Sequence, residues 1–186
     1  MTSRSARNSI LKKCSIHPMT FDNDFVCNCG RCMYDIVPYI KPRCYFHRGT
    51  STRRKAGGFI TDRENKFVLL VQSCGKMWGP PKGTVEPNET VSECAAREIR
   101  EETGLDVTRT AYAVSSTYVR FKSRYYYYTI TVDDPPPVRV QLQSGNDANG
   151  VGWFSVDCVV RNIKAGTMHG NQHLKYVFDH FIGVTL

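Results

Sequence analysis

The sequence lacks a long hydrophobic run. Its longest aliphatic stretch, Phe67–Val71, is far short of the ~20 apolar residues that cross a bilayer, which excludes a membrane-spanning helix. No apolar segment follows Arg4 and Arg7, so no secretory signal is visible, and a cytoplasmic, reducing setting is expected. Internal repeats and low-complexity tracts are also missing. Hydrophobic residues make up 41% of the 186 and charged residues 23%. Such a chain can bury a core, which excludes wholesale disorder and a rod-like repeat. The length fits one domain with a short appendage.

Acidic residues are scarce in the first third. Residues 1–57 carry 11 Lys/Arg against 3 Asp/Glu, a net of +8, and residues 58–186 carry 14 of each, a net of zero. The whole formal charge of +8 therefore lies in the first segment. Five of the eight cysteines (Cys14, Cys27, Cys29, Cys32 and Cys44) lie there too. In a reducing compartment, clustered cysteines read as metal ligands more readily than as disulfides. A basic segment suits an anionic partner, nucleic acid or another polyphosphate; the plainer alternative is solubility alone.

Residues 1–57 read as irregular, broken by Pro18, Pro38 and Pro42. Gly58–Thr61 and Phe67–Gln72 read as strands around a polar turn. Residues 73–88 are rich in Gly and Pro and read as a loop. Thr90 and Glu93 have capping-box spacing, and Gly104 suits a helix stop, so a helix is expected over roughly 90–103. Residues 110–120 and 124–132 read as a strand pair, 138–142 and 151–155 as further strands, and His173–Phe181 as a terminal helix. The order of elements implies a mixed α/β or α+β sandwich.

The informative segment is the helix. Glu98, Glu101 and Glu102 stand at i, i+3 and i+4, so they share one face within about 5–6 Å. Three acids so placed repel one another, and a divalent cation would neutralise them. All-oxygen ligation favours Mg²⁺ or Mn²⁺. The opposite face, with Val91, Ala95 and Ile99, is apolar and would pin the helix to a sheet. Gly83 ahead of the helix allows close backbone approach, so its carbonyl could reach the same ion. The alternative is a solvated acidic face with Arg97 and Arg100 pairing locally.

The full spacing decides between them. Gly83, five residues, Glu89, seven residues, then Arg97-Glu98-Ile99-Arg100-Glu101-Glu102-Thr103-Gly104-Leu105 resembles the Nudix box at every fixed position. The resemblance covers roughly residues 56–186, leaving 1–55 as a basic, Cys-rich arm. It implies an α+β fold, an α/β/α sandwich with a mixed sheet, and hydrolysis of a diphosphate linked to another group. By the same resemblance, Glu98, Glu101 and Glu102 would ligate Mg²⁺ or Mn²⁺ with Gly83 as a further ligand, and Glu89 and Arg97 would form a structural ion pair. Glu101 and Glu102 would also serve catalysis.

Residues around the box narrow the family. Trp78-Gly79-Pro80-Pro81-Lys82-Gly83, Cys94-Ala-Ala-Arg97 and Trp153-Phe-Ser-Val-Asp157 resemble segments of the mRNA-decapping Nudix enzymes. In that family a glutamate six residues before the Trp binds metal or acts as base. Asp147 holds that position here, as a fourth acid or as an ordinary turn residue. The helical domain that precedes the cellular decapping catalytic domain is not expected here, where the Cys-rich basic arm stands in its place. Pro80–Pro87 resembles the loop of diadenosine-polyphosphate hydrolases, and Tyr125–Val132 with Trp153 and Phe154 suits inositol-pyrophosphate hydrolases. A non-enzymatic alternative is an RNA-binding module on an inactive Nudix scaffold.

Lys82 beside the box could contact substrate phosphate or simply face water. Arg120, Lys122 and Arg124 interleave with Tyr118, Phe121 and Tyr125–Tyr128, a pattern for base stacking with backbone neutralisation or for an ordinary aromatic core. In the arm, Cys29-Gly-Arg-Cys32, eleven residues, then Cys44-Tyr-Phe-His47 has the spacing of a zinc site; Cys27 or His17 could replace one ligand. The expected partners are therefore capped RNA or a nucleotide polyphosphate, with the arm gripping the RNA.

Overall fold

The β-branched and aromatic runs pair into one mixed sheet. The computed structural model describes residues 27, 29–37, 53–73, 76–108, 112–141 and 148–186. Among them the strands are β1 (Met33–Ile36), β2 (Lys55–Asp62), β3 (Phe67–Ser73), β4 (Met77–Gly79), β5 (Lys82–Thr84), β6 (Ala113–Phe121), β7 (Tyr125–Val132), β8 (Ala148–Ser155) and β9 (His169–Gly170). The main order is β1-β8-β3-β2-β7-β6; β4 pairs with β3 and β9, and β5 with β2. β2 and β7 run parallel, with Lys55 opposite Tyr125 and Asp62 opposite Val132. The helices are α1 (Val91–Thr103), α2 (Val156–Lys164) and α3 (Gln172–Val177), and α3 continues into a π turn at Phe178–Ile182. No helix among the described residues is long and apolar enough to cross a membrane.

Neighbouring residues on the central strands face opposite layers, as the pleat requires. Ile60, Leu69, Val71, Ile130, Val151 and Trp153 pack with Ile99 of α1. Phe59, Val68, Leu70, Tyr127 and Phe154 pack with Val159 of α2 and Leu174 and Val177 of α3. The sheet is therefore covered on both sides, the α+β sandwich that the resemblance implies. Both faces being buried explains why β3 reads as a near-continuous apolar run. Ile99 is fully buried, and burying such a side chain stabilises the fold by roughly 1.5–3 kcal/mol. Gly58 makes room for it: a Cβ there would lie 2.7 Å from Ile99 Cδ1.

Four features depart from the sequence reading. Residues 33–36 of the arm are not irregular; they form β1, in register with β8 from Met33 opposite Trp153 to Ile36 opposite Gly150. The Gly/Pro-rich segment holds two short strands, β4 and β5, because partners on β3, β9 and β2 override a weak local preference. Residues 138–141 form no strand: the Val140 N–H donates to Asp35 Oδ2 at 2.9 Å, a side-chain acceptor in place of a ladder. Helix α2 is additional; its Val156, Val159, Val160 and Ile163 have the spacing of one apolar face.

Candidate active site

Helix α1 is fixed at both ends and on one face. Thr90 Oγ1 accepts from the Glu93 N–H at 3.2 Å, and Glu93 Oε2 accepts from the Thr90 N–H at 2.8 Å. This reciprocal cap stabilises a helix start by about 1 kcal/mol. Gly104 closes the other end at φ +76°, its N–H on the Arg100 carbonyl. Cys94, Ala95 and Ile99 face inward. The acids at 98, 101 and 102 are thus presented by a rigid element.

Arg97 organises them. Its Nε and Nη2 donate to Glu89 Oε1 and Oε2 at 2.8 and 3.0 Å. Its Nη1 donates to Glu98 Oε1 at 2.9 Å and to Glu101 Oε2 at 3.0 Å. Nη2 also reaches the Thr84 carbonyl at 3.1 Å. The guanidinium therefore binds three carboxylates and the loop backbone at once. The Glu89 bond holds Arg97 firmly cationic, and Arg97 in turn holds the Glu89 carboxyl below its usual range.

Glu98 differs. Burial raises its proton affinity; Arg97 opposes this, while Glu101 and Glu89 reinforce it. Glu102 is buried, and its Oε2 accepts from the Lys82 N–H at 2.8 Å. β5 carries Lys82 and Gly83 to this point by pairing with β2, Gly57 opposite Lys82 and Ala56 opposite Gly83. A Cβ on Gly83 would fall 1.9 Å from the Glu98 carboxyl carbon, so glycine is what lets the loop meet the helix. Three carboxylates share one guanidinium and a fourth, Glu102, sits on the Lys82 N–H, so negative charge is in excess, and every donor is a hard oxygen. This set fits Mg²⁺ or Mn²⁺. A polar cavity of about 330 Å³ opens beside it, lined by Arg97, Arg100, Glu101, Asp106 and Thr108.

A cationic and aromatic wall stands nearby. Burial, then Lys82, Lys55 and Lys122, push His173 down to about 3. His173 Nδ1 and the Tyr127 hydroxyl are 2.8 Å apart, and Glu102 acts electrostatically on Tyr127. His173 meets the Tyr125 ring edge-on at 4.4 Å and Phe121 at 5.3 Å, and Phe121 stacks on Tyr176 at 4.2 Å. Lys122 lies 5.3 Å over Phe121, and Arg124 lies 5.7 Å over Tyr125. Lys122 Nζ also donates to Gln172 Oε1 at 2.5 Å. Arg120 is exposed at the end of β6. His173, Tyr176 and Lys55 were not singled out in the sequence; β7 alone gives no sign that α3 packs against it.

The structure brings Glu89, Arg97, Glu98, Glu101, Glu102, Lys82 and Gly83 into one region. Asp147, Cys44 and His47 lie outside the described residues. Cys29 and Cys32 meet Cys27 and Cys158 instead.

The NUDIX domain profile matches residues 51–175. "Putative hydrolase 111R" of Invertebrate iridescent virus 3 is 34% identical over 135 residues, covering 71% of this chain and 77% of the viral one. "m7GpppN-mRNA hydrolase dcap-2" of Caenorhabditis elegans is 31% identical over 119 residues, covering 60% of this chain but 15% of the worm protein. The structure of the E. coli dihydroneopterin triphosphate pyrophosphohydrolase superposes with a TM-score of 0.53 at 16% identity, covering 71% of this chain and 98% of that one; it shares the fold.

Proposed function

Because this chain belongs to the NUDIX family, we propose that it is a Mg²⁺- or Mn²⁺-dependent pyrophosphatase that cleaves the 5′ cap of RNA, releasing m7GDP and 5′-monophosphate RNA. The observation that carries the hydrolytic part is the single face of α1 on which Glu98 and Glu101 meet at Arg97, with Glu102 beside Lys82. A bound Mg²⁺ or Mn²⁺ supplies Lewis acidity toward the diphosphate and eases ionisation of the attacking water. Glu98, Glu101, Glu102 and the Gly83 carbonyl are the groups that would hold it. Glu101 or Glu102, with Asp147 as a further candidate, takes the proton from water. Lys82 neutralises a substrate phosphate, and Glu89 keeps Arg97 and the loop in place.

The wall formed by Phe121, Tyr125 and Tyr176, with Arg120, Lys122 and Arg124 around it, supports nucleic acid as substrate. Aromatic faces beside cations stack bases while neutralising phosphates. The similarity to the worm m7GpppN-mRNA hydrolase points the same way. The basic arm, residues 1–55, then holds the RNA body. A second reading, hydrolysis of free dinucleoside polyphosphates, is favoured by the Pro80–Pro87 loop.

The test is turnover of cap-labelled RNA, diadenosine tetraphosphate and an inositol pyrophosphate, each with Mn²⁺ and with EDTA. Release of m7GDP that needs Mn²⁺ and a long RNA body is the expected result. Preference for a free polyphosphate would replace decapping with the second reading, and no turnover of any substrate would leave a binding module.

A further inference from the structure

Four thiols converge on the side of the sheet away from α1. Cys27, Cys29 and Cys32 come from a tight turn ahead of β1, and Cys158 comes from the first turn of α2. Their Sγ atoms all lie within 4.8 Å of one another. Cys27 and Cys29 are 3.2 Å apart, and Cys29 and Cys32 are 3.5 Å apart. All four are free cysteines. With metal–sulfur bonds of ~2.3 Å, a regular tetrahedron has sulfur–sulfur edges of about 3.8 Å. The cluster brackets that edge.

We propose that Cys27, Cys29, Cys32 and Cys158 form a four-thiolate zinc site that clamps the arm to the catalytic domain. The surroundings are those of a ligated cluster. The Arg31 N–H donates to Cys29 Sγ at 3.3 Å, and the Ser155 N–H donates to Cys32 Sγ at 3.3 Å. Such outer bonds orient sulfur ligands and stabilise their negative charge. Gly30 turns the chain at φ +69° between the first two thiols and the third, with nothing within 4 Å of its Cβ position. Cations stand around the cluster: Arg161 Nη2 is 4.0 Å from Cys158 Sγ, and Arg31 reaches Asp157 at 3.9 Å.

The chemistry selects the metal. Thiolates are soft ligands and take zinc in a closed tetrahedral site, whereas Mg²⁺ and Mn²⁺ prefer the oxygens of α1. The chain thus sorts two kinds of cation into two sites. The mechanical consequence falls on β1. Four residues at a sheet edge are a weak strand, and a metal bond to α2 directly ahead of it fixes its register on β8. This ligand set shares Cys29 and Cys32 with the one read from spacing. In place of Cys44 and His47 it takes Cys27, which the spacing already offers as a substitute, and Cys158, which no local spacing could reveal.

The site is independent of the pyrophosphatase reading and is tested without it. The full-length chain is purified without chelator, its metals are quantified by mass spectrometry, and the zinc environment is measured by X-ray absorption. The expected result is about one zinc per chain with four sulfur neighbours at ~2.3 Å. Cys158→Ser and Cys27→Ser should lose the zinc, while Cys44→Ser and His47→Ala keep it. Zinc that survives Cys158→Ser but is lost in Cys44→Ser would overturn the assignment. So would iron in the site, or a metal-free chain whose mass has dropped by two hydrogens through a disulfide. Should Cys158→Ser fail to fold, Co²⁺ exchange of the wild type decides. Tetrahedral ligand-field bands with thiolate charge transfer are expected, and their absence refutes the site. Hydrogen exchange after zinc removal should rise in β1 and stay unchanged in α1.

Discussion

Arg97 and Glu89, eight residues apart in the sequence, meet fork to fork, with Nε on Oε1 at 2.8 Å and Nη2 on Oε2 at 3.0 Å. The pair ties the loop ahead of α1 to the helix that bears the acids. Two parallel charge-assisted bonds in a partly buried place give geometry that a point charge cannot copy. Arg97→Lys should therefore cost about 2 kcal/mol of stability, less than the 3–5 kcal/mol of a fully buried pair because solvent still reaches the guanidinium. Urea denaturation of Arg97→Lys, Glu89→Gln and the double variant measures the coupling. Additive losses would show that the two residues act separately.

Glu101→Gln and Glu102→Gln should fold normally, because Gln keeps an oxygen acceptor for the bonds of each carboxylate. Their turnover should drop by ~10³-fold or more, several kcal/mol of lost transition-state stabilisation. Circular dichroism beside steady-state rates separates the two effects. Near wild-type rates in both variants would dismiss the assignment of these acids.

Gly83→Ala divides stability from activity. The new methyl meets the Glu98 carboxyl group, the end of a side chain, which can rotate aside by giving up its Arg97 bond without moving backbone. The melting temperature should change by only a few degrees, roughly 1 kcal/mol, while turnover falls at least tenfold as the Glu98 oxygen leaves its place. Melting curves and rates on the same preparation check this; unchanged turnover would mean that Glu98 is not needed where it stands.

His173 should make the fold acid-sensitive. Burial and the lysines around it take its pKa from the ordinary 6.5 to about 3. The folded value is the lower one, so the unfolded chain takes up the proton first as pH falls. The contribution is complete above about 6.5 and is lost as pH falls toward 3, at up to about 1.4 kcal/mol per pH unit. Stability measured from pH 7 to 5 should decline in the wild type and flatten in His173→Gln. Parallel curves would refute the assignment.

Phe121→Ala and Tyr176→Ala should raise KM for capped RNA by roughly tenfold, about the worth of one base stack, and leave small-polyphosphate hydrolysis nearly unchanged. Equal loss on both substrates would make the pair a core element only.

Much of this was legible in the sequence, for reasons that differ by element. The helix over 90–103 announced itself because its cap, its stop and its apolar spacing are local, and the observed α1 starts one residue later. The mixed sandwich followed from the order of elements and the box. β1 and the contribution of Cys158 were not legible, because each depends on a partner far along the chain: β1 needs β8, and Cys158 needs the turn at Cys27–Cys32. β4 and β5 hid in a Gly/Pro-rich segment for the same reason. Arg97 stands in the motif as a partner of Glu89 and in the alternative reading as a local partner of the acids; its bonds to Glu98 and Glu101 show that both pairings hold at once. α2 is hidden although its apolar residues repeat correctly, because Trp153–Asp157 reads as a motif rather than as the entry to a helix.

The most direct measurement is the electron paramagnetic resonance of free Mn²⁺ titrated with this protein and with a Glu98→Gln, Glu101→Gln, Glu102→Gln triple variant, both loaded with zinc beforehand. The wild type should deplete the free-ion signal and the folded triple variant should leave it unchanged. Equal depletion by both would mean that these acids hold no cation, and the account of the site would fail.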